Sequence, residues 1–335
     1  MKLFKNISLI IVVLLLSVTV YAQDADVATL IKQGIQLNNA HDNAGALEKY
    51  KQALAIDAEN AQANYQVGFT LNSLHKGLEG LPYLDKVTKT NTNFTAAAYF
   101  LMGVIYDDNH QYTQAIEAYK QAIRIQPTRP DAYFSLGLVY FRTKDYAQAE
   151  QAAMEAIKIN PQGGGGQRLY ALVTFHQNKR GPALLALCTF LMLEPDGARA
   201  AEAYTNVQSI LKGGILKNEA GKTSAEDVEL NKNIMGAVAT VSNKSGLSPA
   251  DFLGAQLKVV FIALGRLAEK QTGNDFFKTA YADFFYKLAQ TDNIPAFARY
   301  MDMSANKEAD KQWLQQNDDK RKALEVWVEG TERKF

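Results

Sequence analysis

Pro127, Pro161 and Pro195 stand 34 residues apart, and each closes a stretch whose apolar residues recur at helical spacing. Proline has no N–H to donate and its ring clashes with the preceding turn, so each mark ends a helix. A period of this length accommodates two short helices and their turns. One such pair cannot bury its apolar face alone, so neighbours must stack on it. The period therefore points to an all-α chain of stacked helical hairpins.

Around the prolines, Gly, Ala and aromatic residues recur in phase. One unit carries Tyr99, Met102, Gly103 and Tyr106, then Ala115, Tyr119, Ala122 and Pro127. The next carries Tyr133, Leu136, Gly137 and Tyr140, then Ala149, Ala156 and Pro161. Upstream lie Leu30, Gly34, Leu37, Ala46, Tyr50 and Ala53, and a looser, longer set of Val67, Gly68, Leu71, Leu84 and Val87. A worn unit keeps Tyr170, Ala171, Ala183, Phe190 and Pro195. Gly34, Gly68, Gly103 and Gly137 present no side chain, so the two helices of a unit can approach closely while large residues fill the flanks.

This set resembles the tetratricopeptide-repeat (TPR) family over residues 27 to about 197. The resemblance implies a TPR superhelix of about five helix-turn-helix units, near 27–60, 61–95, 96–129, 130–163 and 164–197. One extra helix from Ala198 to Leu211 completes a solenoid spanning 23–212. His41, His75 and His110 fall at one position of successive units, the turn after the first helix. The family prefers a left-handed glycine there, and His tolerates that conformation better than most residues. They are read as turn residues, not as a metal array.

In this family the first helices line a concave face. Projected by repeat position, that face holds Tyr65, Phe69, Phe100, Phe134, Phe141 and Phe175, with Asn72, Asp107, Asp108, Arg142 and Arg168 as its polar members. Aromatics supply contact area at low entropy cost and Arg supplies charge pairing, so the stripe suits an extended or helical peptide with apolar or aromatic anchors. Relatives that grip chaperone tails use Lys and Asn in the groove. Ile31, Ile35, Tyr65, Phe69, Phe100 and Val104 occupy those places here, which argues against such a clamp. Two arrangements fit the stripe equally, a groove open to a ligand and a groove filled by the chain's own C-terminal helices.

Lys2 and Lys5 precede an apolar run from Ile7 to Val18 that ends in Val20-Tyr21-Ala22, the layout of a cleavable secretory signal over 1–22. The run is too short to span a bilayer, and no later stretch is long enough. The chain is expected in the periplasm. Lys plus Arg is 36 against 35 Asp plus Glu, so nothing favours nucleic acid as a partner. The lone Cys188 reads as a small buried residue.

Residues 213–223 read as a linker, and 224–335 as a C-terminal helical module without a 34-residue period. Ser248-Pro249-Ala250-Asp251 is a helix-capping pattern. Phe277, Tyr281, Phe284 and Leu288 mark one buried face, and Trp313 and Trp327 lie on what reads as one long terminal helix. No catalytic motif emerges. Gly221-Lys222-Thr223 lacks the spacing of a phosphate loop, Gly163 to Gly166 reads as a flexible joint, and adjacent Asp107 and Asp108 point about 100° apart on a helix. The expectation is a protein-binding scaffold without cofactor, metal or catalysis, an enzyme in 224–335 being the remaining alternative.

Overall fold

The structure is a computed structural model and describes residues 26–213, 224–241, 246–270 and 276–335. The expected signal, most of the 213–223 linker and Gly221-Lys222-Thr223 lie outside the described residues. The described residues form helices and turns without a strand. They fall into two compact units, one reaching Thr128 and one beginning at Arg129.

The first unit contains α1 (26–39), α2 (Asn43–Ile56), α3 (Ala61–Ser73), α4 (Gly77–Thr88), α5 (Thr95–Asp108) and α6 (Tyr112–Ile125). Asp42 and Asn60 cap α2 and α3 by accepting from the backbone N–H of Gly45 and Ala63, satisfying donors a helix start leaves open. Two apolar clusters hold the unit. Val27, Ile31, Tyr50, Val67 and Leu71 join α1, α2 and α3, while Leu84, Val87, Leu101 and Ile105 join α4 and α5. A methyl group on Gly34 would stand 2.4 Å from the Tyr50 ring, and one on Gly103 would stand 2.5 Å from that of Tyr119. Both tyrosines are fully buried. The glycine and tyrosine of these two hairpins are thus one packing device, a ring laid where a Cβ would be, while Gly68 makes room for Leu84 instead.

His41, His75 and His110 have φ of 63°, 59° and 58°, and Lys144 and Asn178 continue the series in the second unit at 63° and 60°. Each follows the first helix of a hairpin. The next residue then bonds back to the carbonyl five positions earlier, as Asp42 N–H does to Leu37 at 2.9 Å and Gln111 N–H to Tyr106 at 2.8 Å. This is the helix-ending motif that needs a left-handed residue, and it accounts for the histidines. Among the described residues no group of three or more His, Cys, Asp or Glu is arranged to hold a metal ion.

The second unit continues with α7 (Pro130–Arg142), α8 (Tyr146–Ile159), α9 (Gly164–His176), α10 (Arg180–Leu193) and α11 (Ala198–Leu211). It then adds α12 (Ala225–Ala239), α13 (Pro249–Ala268), a π-helical turn (Lys278–Ala282) running into α14 (Asp283–Leu288), α15 (Ile294–Asp302), α16 (Lys307–Gln316) and α17 (Asp318–Gly330). Ser248 caps α13, accepting from Asp251 N–H at 3.1 Å, with Pro249 at the first helical position. Phe277, Tyr281, Phe284 and Leu288 are all buried.

The prolines end helices indirectly. Gln126, Asn160 and Glu194, each just before a proline, have φ of −132° to −134°, the extended region that a following proline imposes. Asp57 takes the same φ of −132° before Ala58, so the exit belongs to the repeat and proline fixes it.

The compact units do not follow the expected division at 213–223. Helix α10 is buried on every side from Arg180 to Leu191, because α9 and α11 cover part of it and α12, α15 and the π-turn cover the rest. Polar ties reinforce this. Asn231 accepts from Arg180 N–H and donates to the Asn178 carbonyl, at 3.1 and 2.8 Å. The buried Tyr281 hydroxyl donates to Gln167 at 2.6 Å. Arg333 donates to Thr189 at 3.0 Å and to the Ala280 carbonyl at 2.8 Å, and lies against the rings of Tyr281, Phe284, Phe285 and Phe335. The fifth hairpin and the C-terminal helices therefore share one core.

Two local expectations are also corrected. Gly164, Gly165 and Gly166 form the first turn of α9 instead of a joint, with space for their missing side chains taken by Glu194, Phe134 and Ile157. The terminal helix is broken at Asn317, at φ −120° and ψ 50°, whose side chain donates to the Trp313 carbonyl at 3.0 Å. Trp313 and Trp327 consequently sit on different helices.

Candidate functional site

In the first unit, α3 carries Tyr65 and Phe69 one turn apart, with ring centroids 6.5 Å from each other, and Phe94 lies 5.6 Å from Tyr65. Phe69 is 44% exposed, unusual for so large an apolar side chain. Tyr65 and Phe69 border a cavity of about 240 Å³ completed by Ile35, Asn38, Asn39, Tyr50 and Gln66. Its floor is fixed by Asn38, whose amide donates to the Tyr50 hydroxyl at 3.2 Å and to Thr70 at 2.9 Å. Burial pushes the Tyr50 hydroxyl up to about 12, with the Asn38 hydrogen bond acting the other way. The phenol therefore stays neutral at any physiological pH.

Aromatic walls over a rim of carboxamides suit one apolar side chain of a partner and the peptide groups flanking it. Of the expected residues only Tyr65 and Phe69 enter this cavity. Asn38, Asn39, Tyr50 and Gln66 belong to it as well. They escape projection because they flank the first-helix stripe or belong to α2.

The remaining expected residues have other surroundings. Asn72 is half-buried near Gly77, and Phe100 packs on Tyr119 with centroids 5.7 Å apart. Asp107 is half-buried and Asp108 exposed at the end of α5. In the second unit Phe134 covers Gly165, and Phe141 forms a three-ring cluster with Tyr146 and His176 at 5.6 and 4.9 Å. Arg142 is exposed at the end of α7.

Two residues do not fit an open face. Phe175 is only 5% exposed and is core. Arg168 is paired with Glu202 of α11 at 2.6 Å. Among the described residues, no helix is long and apolar enough to cross a membrane.

Antiparallel helix pairs, four of the five with a glycine at the close approach, and a left-handed residue in each turn define an all-α helical-repeat protein. Within that class the chain carries tetratricopeptide repeats: residues 103–144 match the TPR repeat and residues 130–162 the Tetratricopeptide repeat. The fold is that of a protein-interaction scaffold. No curated protein matches the sequence.

Similar solved structures include MamA, at 25% identity over 48% of this chain and 94% of that one, with a TM-score of 0.45. PilF of Pseudomonas aeruginosa is 18% identical over 57% of this chain and 83% of its own, with a TM-score of 0.48. YrrB, described as a TPR protein with an unusual peptide-binding site, is 17% identical over 56% and 97%, with a TM-score of 0.47. These scores all fall below 0.5, and the family assignment stands on the matched repeats.

Proposed function

We propose that the chain is an exported scaffold that holds a peptide or protein partner on the aromatic surface of its repeats, with the Tyr65–Phe69 cavity as an anchor point. The observation that carries this reading is the exposed Phe69 ring beside a cavity that is built, with hydrogen-bonded walls, and large enough for one bulky side chain. The signal-like residues 1–22 support export to the periplasm. In the test, the mature chain is recovered from the envelope, where an amino terminus at Gln23 reports the cleavage. It is then used for affinity capture beside a Tyr65→Ser, Phe69→Ser variant of equal helicity. The variant is expected to lose the partners that the wild type retains, and equal capture by both overturns the anchor.

Equal capture would favour a second reading, in which the chain's own C-terminal helices occupy the repeat surface. That reading draws on α9, a first helix whose Tyr170 stacks on Tyr281 and meets Phe276 edge-on, at 5.6 and 5.4 Å.

A further inference from the structure

After α17 ends at Gly330 the backbone turns extended at Thr331, at φ −100° and ψ 108°, and residues 331–335 return to the π-helical turn. Only one side chain of this segment is enclosed. Glu332 and Lys334 face water, and Thr331 and Phe335 are half-buried. Arg333 enters a cage of four rings, its guanidinium carbon 4.6 Å from the centroid of Phe284, 4.9 Å from that of Phe335, 5.2 Å from that of Tyr281 and 5.9 Å from that of Phe285. Tyr281, Phe284 and Phe285 belong to the core, each 2% exposed or less. Only the Phe335 wall arrives with the segment itself.

The polar contacts fit a planar fork. Arg333 Nε donates to the Ala280 carbonyl at 2.8 Å, and its Nη2 donates to the Thr189 hydroxyl at 3.0 Å. That hydroxyl in turn donates to the Leu185 carbonyl at 3.0 Å, which leaves a lone pair for the arginine. The π-turn also offers the Thr279 carbonyl to the Lys334 N–H at 3.4 Å. Two N–H groups of one rigid plane thus reach acceptors on α10 and on the π-turn, a geometry that a single ammonium on a flexible stem does not match. Among the described residues no carboxylate pairs with Arg333. Burial pulls its guanidinium down to about 10, with Tyr281 acting the other way, so it is charged at neutral pH. A cation held by rings and neutral acceptors lacks the attraction of an ion pair, and water competes for it.

We propose that Thr189, the π-turn and the rings of α14 form a guanidinium-binding site that the chain fills with its own Arg333, and that residues 331–335 are a strap that opens and closes on it as one piece. When the strap lifts, the core keeps its other ties: Tyr281 still donates to Gln167, and Trp327 of α17 still packs on Phe284 with centroids 5.0 Å apart. What is uncovered is a slot for one guanidinium, open to an arginine of a partner in place of Arg333.

The strap is tested in the wild-type full chain by amide hydrogen exchange at urea concentrations below the unfolding transition. The Lys334 amide is expected to exchange through a local opening that urea barely changes, while the amides of α10 and α14 follow the urea dependence of global unfolding. An unprotected Lys334 amide, or one with the urea dependence of α10, overturns the strap. The site is tested in the full chain carrying Arg333→Ala, with ethylguanidinium and ethylammonium as probes. Exchange at Lys334 is expected to quicken on the order of tenfold. The variant is also expected to melt higher in ethylguanidinium than in ethylammonium at equal concentration, relative to the same pair of melts for the wild type, whose site is filled. No such difference overturns the guanidinium site. An Arg333→Ala chain that fails to fold overturns the strap, since the core would then depend on it.

Discussion

Helices α6 and α10 occupy the same place in their hairpins, 68 residues apart, yet they live in different environments. On α6 only Ala115, Ala118, Tyr119 and Ala122 are buried, and Glu117, Lys120 and Arg124 face water. On α10 the positions equivalent to Glu117 and Lys120 are Leu185 and Cys188, both with no exposure. A repeat position thus specifies the inner face of a helix, while its outer face is set by what packs there. The C-terminal helices convert the second helix of the last hairpin from a solvent boundary into the centre of a core. Burial raises the Cys188 thiol far above its ordinary range, so it is an inert apolar residue.

The comparison can be broken by exchanging the two outer faces. Leu185→Glu gives α10 the residue of the equivalent site on α6. An unpaired carboxylate buried there is expected to cost more than about 4 kcal/mol in denaturant unfolding, enough to open the second unit. The converse, Glu117→Leu, is expected to stay within about 0.5 kcal/mol of wild type. Comparable losses in both would show the two outer faces to be alike. The shared inner face is sharpened by Gly103→Ala. The new methyl group would meet the Tyr119 ring at 2.5 Å, and overpacking of about 1–3 kcal/mol outweighs the roughly 1 kcal/mol that Ala gains in a helix. A net loss of up to about 2 kcal/mol by thermal melting is expected, and a stabilised chain would contradict the packing. The smallest effect belongs to the turns. His110→Gly relieves a positive φ of 58° and is expected to gain about 0.5 kcal/mol, the strain relieved exceeding the entropy that Gly loses on folding. A loss would give the imidazole a role besides filling the turn.

What was legible in the sequence was what repeats. Gly34 with Tyr50 and Gly103 with Tyr119 recur because one ring must lie where a Cβ is missing, and three histidines recur because each turn needs a left-handed residue. The apolar run from Ala183 to Leu193 was visible too, but its double burial was not, since that depends on helices more than thirty residues downstream. Projection by repeat position also assumes an open face, whereas Arg168 is paired with Glu202 of α11 and Phe175 is buried in the core. Tyr65 and Phe69 belong to the projected stripe, and the carboxamides beside them do not.

The bond from Arg333 to Thr189 spans 144 residues. Synthesis proceeds at about 5–20 residues per second, so α10 leaves the ribosome roughly 7 to 30 s before the residue that closes over it exists. The hairpins of the first unit join neighbours in sequence and can form as they emerge. An apolar helix that stays uncovered until then is exposed to aggregation, and the second unit can close only once its last residues are in place.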